Sequence, residues 1–179
     1  RKAYTLVLKA HISLAMGRYP EGITGLQLDT AARYQMWLEG YDFGHGTGHG
    51  VGANLGVHAG PHQIRKNMTP GTLLPFRAGM IVSNEPGIYV AGQFGVRLEN
   101  LLLALPAEET PFGRFFRFET LTLCPFDLRP VYLDQLSAAE VAWLNDYHAM
   151  VCDRLLPLLN DEADKRWLIE ATRKVEVRE

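Results

Sequence analysis

The chain has 179 residues, of which 47% are hydrophobic and 21% are charged, and its 18 basic and 20 acidic side chains leave a net charge of −2. This composition is typical of a globular protein and excludes a mainly disordered chain. The near balance of charge gives no electrostatic reason to expect nucleic acid or an anionic membrane as a partner, and we expect neither.

Two helices are predicted at the start of the chain. Apolar residues recur at helical spacing over residues 2–17, and Gly17 and Pro20 end the pattern. The segment Thr24-Gly-Leu-Gln27 has the capping-box pattern, which predicts a second helix over about residues 25–39.

The middle of the chain is rich in predicted strands. Residues 79–84 and 95–103 each predict one strand, and residues 85–89 predict a turn into extended chain between them. A polar loop at 106–114 and a strand at 116–124 follow. A second capping box at Ser137 begins a helix that Pro157 should stop or kink, and a last helix covers about 161–174. Helices, then strands, then helices predict an α+β fold.

Residues 44–52 read GHGTGHGVG, with five glycines and two histidines. A helical zinc pair is excluded because each glycine costs a helix roughly 1 kcal/mol. We predict an extended segment in which His45, Thr47 and His49 share one face. Together with His58 and His62, four of the six histidines lie within 18 residues. Imidazole is a common metal ligand and carries protons at physiological pH. The cluster therefore predicts either a functional site or a group of structural and solvated histidines.

Two glutamates are the acidic candidates. Glu85 follows a hydrophobic strand, where a solvated carboxylate in a turn is the alternative interpretation. Glu99 is predicted in the middle of a strand, among apolar neighbours and on the same face as Arg97. Charged groups in a largely buried strand need partners that offset desolvation. Arg97 and Glu99 therefore predict either a structural ion pair or a functional site.

Taken together, these motifs resemble the Xaa-Pro aminopeptidases (aminopeptidase P) of the pita-bread metallopeptidase family, M24. The segments that carry the resemblance are GHGTGHGVG at 44–52, VHAGP at 57–61, GMIVSNEPGIY at 79–89 and GVRLEN at 95–100. The tail, at 118–125 and 143–148, is most similar to the larger, cytosolic type. The resemblance implies the C-terminal portion of a pita-bread (creatinase/aminopeptidase-like) fold, an antiparallel curved sheet flanked by helices. It also implies a cytoplasmic protein, and free, buried Cys124 and Cys152 fit that setting.

The resemblance also implies a metal centre. The family binds two divalent ions, commonly manganese, through two Asp, one His and two Glu. Its metal ligands correspond here to His49, Glu85 and Glu99, and Glu99 is expected to bridge both ions. Carboxylate oxygens with one imidazole suit manganese-type ions, which agrees with the residue types.

Further residues are expected to act on the substrate. The resemblance makes His45, His58 and Arg97 both catalytic and substrate-binding, and Tyr89 a substrate-binding residue that lines the site. Glu85 is expected to be catalytic as well, because it steers the attacking water.

The family's two Asp ligands have no counterpart in this chain, since Asp29 and Asp42 do not match them. We therefore expect residues 1–179 to be the C-terminal part of a single pita-bread catalytic domain whose upstream part carries both aspartates. The implied function is metal-dependent release of the N-terminal residue from a peptide with proline at position 2, by a homodimer. Alone, the chain is expected to be inactive or weakly active. The alternatives are a catalytically inactive pita-bread module that binds a peptide or protein, and a prolidase.

Overall fold

The computed structural model describes residues 1–54 and 56–176 of the chain. They form two compact units, one made of residues 6–122 and the other of Arg1–Thr5 with the chain from Leu123 onward. The secondary structure is α+β, as the sequence predicts. No helix in these two ranges is long and apolar enough to cross a membrane.

The elements begin and end close to the predicted positions in the helical regions. In the described ranges the α-helices are α1 (Lys2–Ala15), α2 (Gly25–Trp37), α3 (Ala138–Leu155) and α4 (Glu162–Ala171). The strands are β1 (Arg18–Pro20), β2 (Gly48–His49), β3 (Gln63–Ile64), β4 (Ile81–Asn84), β5 (Gly87–Val90), β6 (Phe94–Arg97), β7 (Asn100–Thr110) and β8 (Gly113–Thr120).

The larger unit is built around an antiparallel sheet in the order β1-β8-β7-β4. Its long strand β7 pairs with β8 on one side and with β4 on the other. Leu102 and Ala104 point from β7 into the core, where they are almost fully buried. Two small antiparallel pairs, β2-β3 and β5-β6, complete the unit. A bridge between Gly50, the residue after β2, and Val82 of β4 joins this segment to the sheet. The histidine-rich segment is therefore fixed beside the sheet.

The strand predicted over residues 95–103 is two strands. β6 ends at Arg97, where it pairs with Gly87 of β5, and β7 begins at Asn100, where it pairs with Asn84 of β4. The chain changes partners between them, so Glu99 lies between two strands and the prediction of a mid-strand position is wrong.

The polar loop predicted at 106–114 is also wrong. β7 continues to Thr110 and pairs with β8 across a register shift, and the turn is made near Gly113. The polar residues in this stretch are the exposed side chains of a long hairpin, which a composition-based interpretation cannot distinguish from a loop.

The smaller unit confirms the predicted capping box of α3. The backbone N–H of Ser137 donates to Glu140 Oε2 at 2.7 Å, and the N–H of Glu140 donates back to Ser137 Oγ. The helix ends at Leu155 and a short 3₁₀ turn that contains Pro157 follows. Both cysteines are free, as predicted, but the prediction that both are buried is wrong because Cys124 is exposed.

Candidate active site

The predicted site residues converge on one region of the larger unit. Five of them line a single cleft of about 310 Å³, namely His45, His49, His58, Glu85 and Arg97. Tyr89 joins this group through hydrogen bonds to two of its members. Glu99 instead lines an adjoining cavity of about 500 Å³, which shares His49 with the first. The other six residues therefore lie around His49.

The segment that carries the histidines is extended only in part. β2 covers Gly48 and His49, and the chain bends before it, so the predicted alternation of faces fails for Thr47. The Thr47 hydroxyl is buried and donates to Asp29 Oδ1 at 2.6 Å. A glycine is required at 48, because a Cβ there would overlap the carbonyl oxygen of Ser83 in the neighbouring strand β4.

A buried ion pair on α2 holds this segment, and sequence reasoning missed it. Arg33 is fully buried, and its Nε donates to Asp29 Oδ2 at 2.6 Å. Its two terminal nitrogens donate to the backbone carbonyls of Phe43 (2.6 Å) and His45 (2.7 Å). With the Thr47 hydroxyl bond, α2 fixes two positions of the histidine segment 44–52 and the residue just before it. The sequence did contain a signal for this ion pair, namely an acid and an arginine four residues apart on a predicted helix.

His49 presents one nitrogen to Glu85. Its Nδ1–H donates to the carbonyl of Gly50 at 2.9 Å, which is the tautomer that the hydrogen bonding assigns, and this leaves a lone pair on Nε2. That Nε2 lies 3.2 Å from Glu85 Oε1. Two acceptor atoms at this distance repel each other unless a proton or a cation lies between them. The Ser83 hydroxyl donates to the same Glu85 oxygen at 3.0 Å and orients it.

The strand register places the two glutamates opposite each other. Asn84 and Asn100 are the last residue pair between β4 and β7, and Glu85 and Glu99 are one step beyond that pair. Glu85 is buried, whereas Glu99 is exposed, so the predicted burial of Glu99 is wrong. Partial desolvation, followed by the negative charge of Glu85, raises the pKa of Glu99. The two carboxylates therefore lie within electrostatic reach of each other.

Arg97 pairs with Glu85 rather than with Glu99. Its Nη1 lies 3.3 Å from Glu85 Oε2, and its Nε donates to the Tyr89 hydroxyl at 2.7 Å. The Tyr89 hydroxyl in turn donates to His45 Nε2 at 2.8 Å, and His45 Nδ1–H donates to the carbonyl of Gly46. This chain of hydrogen bonds fixes the orientation of the His45 ring. A simple structural Arg97–Glu99 pair is therefore not what the structure shows.

The remaining two histidines of the cluster differ in exposure and in contacts. His58 is exposed in the cleft, and its ring centroid lies 4.4 Å from that of His49. His62 is buried, with Nε2 bonded to the carbonyl of Ile81 at 2.7 Å and its ring packed edge-on against Phe76. His62 is therefore a structural residue, and His58 is free to meet a ligand.

A second missed residue, His11 of α1, lies beneath the two glutamates. It is fully buried; its Nδ1–H donates to the carbonyl of Leu98 at 3.3 Å, and its Nε2 accepts from Asn100 Nδ2 at 3.2 Å. Its own carbonyl accepts from Asn84 Nδ2 at 3.0 Å. Burial lowers the pKa of His11 to about 4, so it stays neutral. His11 thus ties together the strand ends from which Glu85 and Glu99 project.

The side-chain atoms at the centre of the site suit a divalent cation, but they do not surround one. Within residues 1–54 and 56–176, no three His, Cys, Asp or Glu side chains are arranged to hold a metal ion. The pair that fits is His49 Nε2 with Glu85 Oε1, because a backbone carbonyl holds the imidazole in the ligating tautomer. Glu99, just before β7 and opposite Glu85, adds a hard oxygen.

Comparison with known proteins identifies the family of the chain. The family model described as metallopeptidase family M24 matches residues 1–105, and the model of the C-terminal region of peptidase M24 matches residues 114–175. Aminopeptidase P1 of Arabidopsis thaliana is 42% identical over 99% of this chain and 28% of its own length. Aminopeptidase P2 of the same plant is 46% identical over 97% of this chain and 24% of its own length. The chain thus spans about a quarter of the length of these curated relatives.

Solved structures give the same result. The X-prolyl aminopeptidase of Caenorhabditis elegans, described as a cytosolic enzyme with a di-nuclear active site, matches with a TM-score of 0.89 at 38% identity, over 97% of this chain and 28% of that one. The prolidase of Pyrococcus furiosus matches with a TM-score of 0.55 at 30% identity, over 70% of this chain and 33% of that one. The fold is therefore the α+β pita-bread fold that the sequence predicts. By two family models and by relatives that match it almost from end to end, the chain belongs to metallopeptidase family M24.

Proposed function

We propose that this chain carries part of the active site of a metal-dependent Xaa-Pro aminopeptidase, which hydrolyses the bond between an N-terminal residue and proline. The observation that carries the proposal is the apposition of His49 Nε2 and Glu85 Oε1 in a cleft that also holds His45, His58 and Arg97. Relatives named aminopeptidase P support it. Prolidase is the less favoured alternative, because the match to that structure covers 70% of the chain instead of 97%.

His49, Glu85 and Glu99 are proposed as metal ligands, and manganese as the metal. A divalent ion bound there supplies the Lewis acidity that activates water and polarises a peptide carbonyl. The C. elegans relative has a di-nuclear site. A second ion here is part of the proposal, with two further ligands expected upstream of residue 1.

The other residues of the cleft act on the peptide. Arg97 offsets the charge of Glu85 and holds its carboxylate in place, because the two side chains lie 3.3 Å apart. His45 and His58 are proposed to bind the peptide and to move protons. His45 is oriented for this by Tyr89, which is itself proposed to line the substrate site.

The proposal extends to the whole protein. Residues 1–179 are proposed to form the C-terminal part of a single catalytic domain, in a homodimer that works in the cytosol. The cytosolic C. elegans relative supports the location. The dimer stays a prediction that sedimentation equilibrium tests.

The deciding experiment compares this chain with the extended protein, by which we mean the product of the same reading frame followed upstream of residue 1. Both are assayed with added Mn²⁺ on an Ala-Pro-Ala peptide, and their metal content is measured. We expect alanine release by the extended protein and little or none by the chain alone. Equal turnover by both would refute the need for upstream ligands. A metal-loaded extended protein that binds but never cleaves Xaa-Pro peptides would support the inactive binding module, and cleavage of dipeptides alone would support prolidase.

A further inference from the structure

Arg65 lies in the same cleft, and the proposed function gives it no role. It follows β3 directly, is half-buried, and lines the cleft with His45, His49 and Glu85. Its side chain passes over the backbone of Gly46, since a Cβ at Gly46 would lie 3.5 Å from Arg65 Cβ and 3.7 Å from Nε. The guanidinium thus lies beside Gly46, the residue that follows His45.

Arg65 differs from the neighbouring cations in its pairing. Arg97, on the opposite wall, pairs with Glu85, and the neighbouring Lys66 pairs with Asp42 at 2.5 Å. Arg65 makes no hydrogen bond or ion pair with any residue in the described ranges 1–54 and 56–176. The cleft therefore carries one uncompensated positive charge next to its imidazoles.

We propose that Arg65 binds a carboxylate of the peptide substrate. This inference rests on the proposed function and specifies its substrate class. A guanidinium offers a planar fork of donors that matches a carboxylate, and partial burial reduces the screening of such a pair by water. Neutral peptide groups would leave the charge of Arg65 uncompensated. The carboxylate belongs either to the C-terminus of a short peptide or to an acidic side chain after proline.

The kinetic test uses the extended protein and three substrates: Ala-Pro-Ala as the free acid, Ala-Pro-Ala amide, and Ala-Pro-Asp amide. A charge-assisted hydrogen bond supports about a 10- to 100-fold change in affinity. We expect Arg65→Gln to raise KM by about that factor for a carboxylate-bearing peptide, to leave kcat unchanged, and to leave the neutral amide unaffected. Arg65→Lys keeps the charge without the fork and should restore part of the loss.

The two possible sources of the carboxylate give different patterns. An effect on the free acid alone identifies the C-terminal carboxylate, and an effect on the Asp peptide identifies a side chain. Arg129→Gln is the matched control, because it removes the same charge from an exposed site outside the cleft. Equal KM changes for all three substrates, or none, would overturn the proposal.

Failure of the proposed function is distinguishable from failure of this inference. If the extended protein cleaves the neutral amide, the aminopeptidase proposal stands whatever Arg65 does. If it cleaves none of the three, peptide binding is followed on this chain by NMR of the arginine Nε–H groups, with Arg65→Gln assigning the signal. A shift of that signal by the free acid or the Asp peptide but not by Ala-Pro-Ala amide supports the proposal. An unmoved signal overturns it.

Discussion

The substitution Arg33→Met tests whether the buried ion pair on α2 holds the histidine segment. Methionine keeps most of the side-chain volume and removes the guanidinium. The change removes the cation paired with buried Asp29, which keeps only its bond from the Thr47 hydroxyl. It also removes the donors to Asp42 and to the carbonyls of Phe43 and His45.

The expected loss of stability follows from these contacts. Removing one partner of a buried ion pair costs about 3–5 kcal/mol, because the other charge stays buried. Each carbonyl that loses its donor adds up to about 1–3 kcal/mol, although water entry and relaxation reduce the sum. We expect Arg33→Met to lower the free energy of unfolding by at least about 4 kcal/mol. That is a large part of the roughly 5–15 kcal/mol that stabilises most domains.

Urea unfolding of the 179-residue chain measures this loss. Arg114→Met is the matched control, since Arg114 also forms a two-pronged ion pair, with Glu21, but both side chains are largely exposed. An exposed pair contributes about 0–1 kcal/mol. If Arg33→Met abolishes folding, Thr47→Val removes only the 2.6 Å bond to Asp29 and should cost about 1–2 kcal/mol. A difference of less than about 1 kcal/mol between the two arginine variants would refute the reasoning.

Three further predictions concern the site and its support. In the extended protein, Glu99→Ala should remove bound metal and activity together, and full metal occupancy in this variant would contradict a bridging role. His58→Ala should keep the metal, measured by elemental analysis, while kcat falls by about 10²-fold, the usual scale for a lost proton-transfer or oxyanion partner. For His11, burial lowers the pKa from 6.5, the value of an unperturbed imidazole, to about 4 in the folded state. Below pH 6.5 the unfolded chain therefore binds a proton that the folded chain does not, and the free energy of unfolding falls as the pH is lowered from 6.5 to 4. The loss should total about 3 kcal/mol, and urea unfolding at about pH 7 and pH 4.5 should show a weaker pH dependence in His11→Gln.

The parts of this structure that could be predicted from sequence depend on local chemistry. The capping boxes at Thr24 and Ser137 place two helix starts correctly, because the partners lie three residues apart in the chain. His49 and Glu85 stand out through their motifs, and the structure brings them within 3.2 Å.

The predictions that were wrong, and the residues that were missed, depend on contacts between distant parts of the chain. The break before Asn100 depends on which strands β6 and β7 pair with, and no pattern within residues 95–103 contains that information. The direction of Thr47 depends on Asp29, which is 18 residues away. His11 was missed because its partners lie at Leu98 and Asn100, and a single histidine in a helix carries no signal of them.

The pairing of Asn84 with Asn100 makes the site sensitive to insertions and deletions. A shift of β7 by one residue against β4 would turn Leu102 and Ala104 out of the core and move Glu99, just before β7, away from its position opposite Glu85. The same hydrophobic packing that stabilises the sheet therefore sets where the second glutamate projects. In refolding experiments, the capacity of the extended protein to bind metal should report whether β4 and β7 have paired in the correct register.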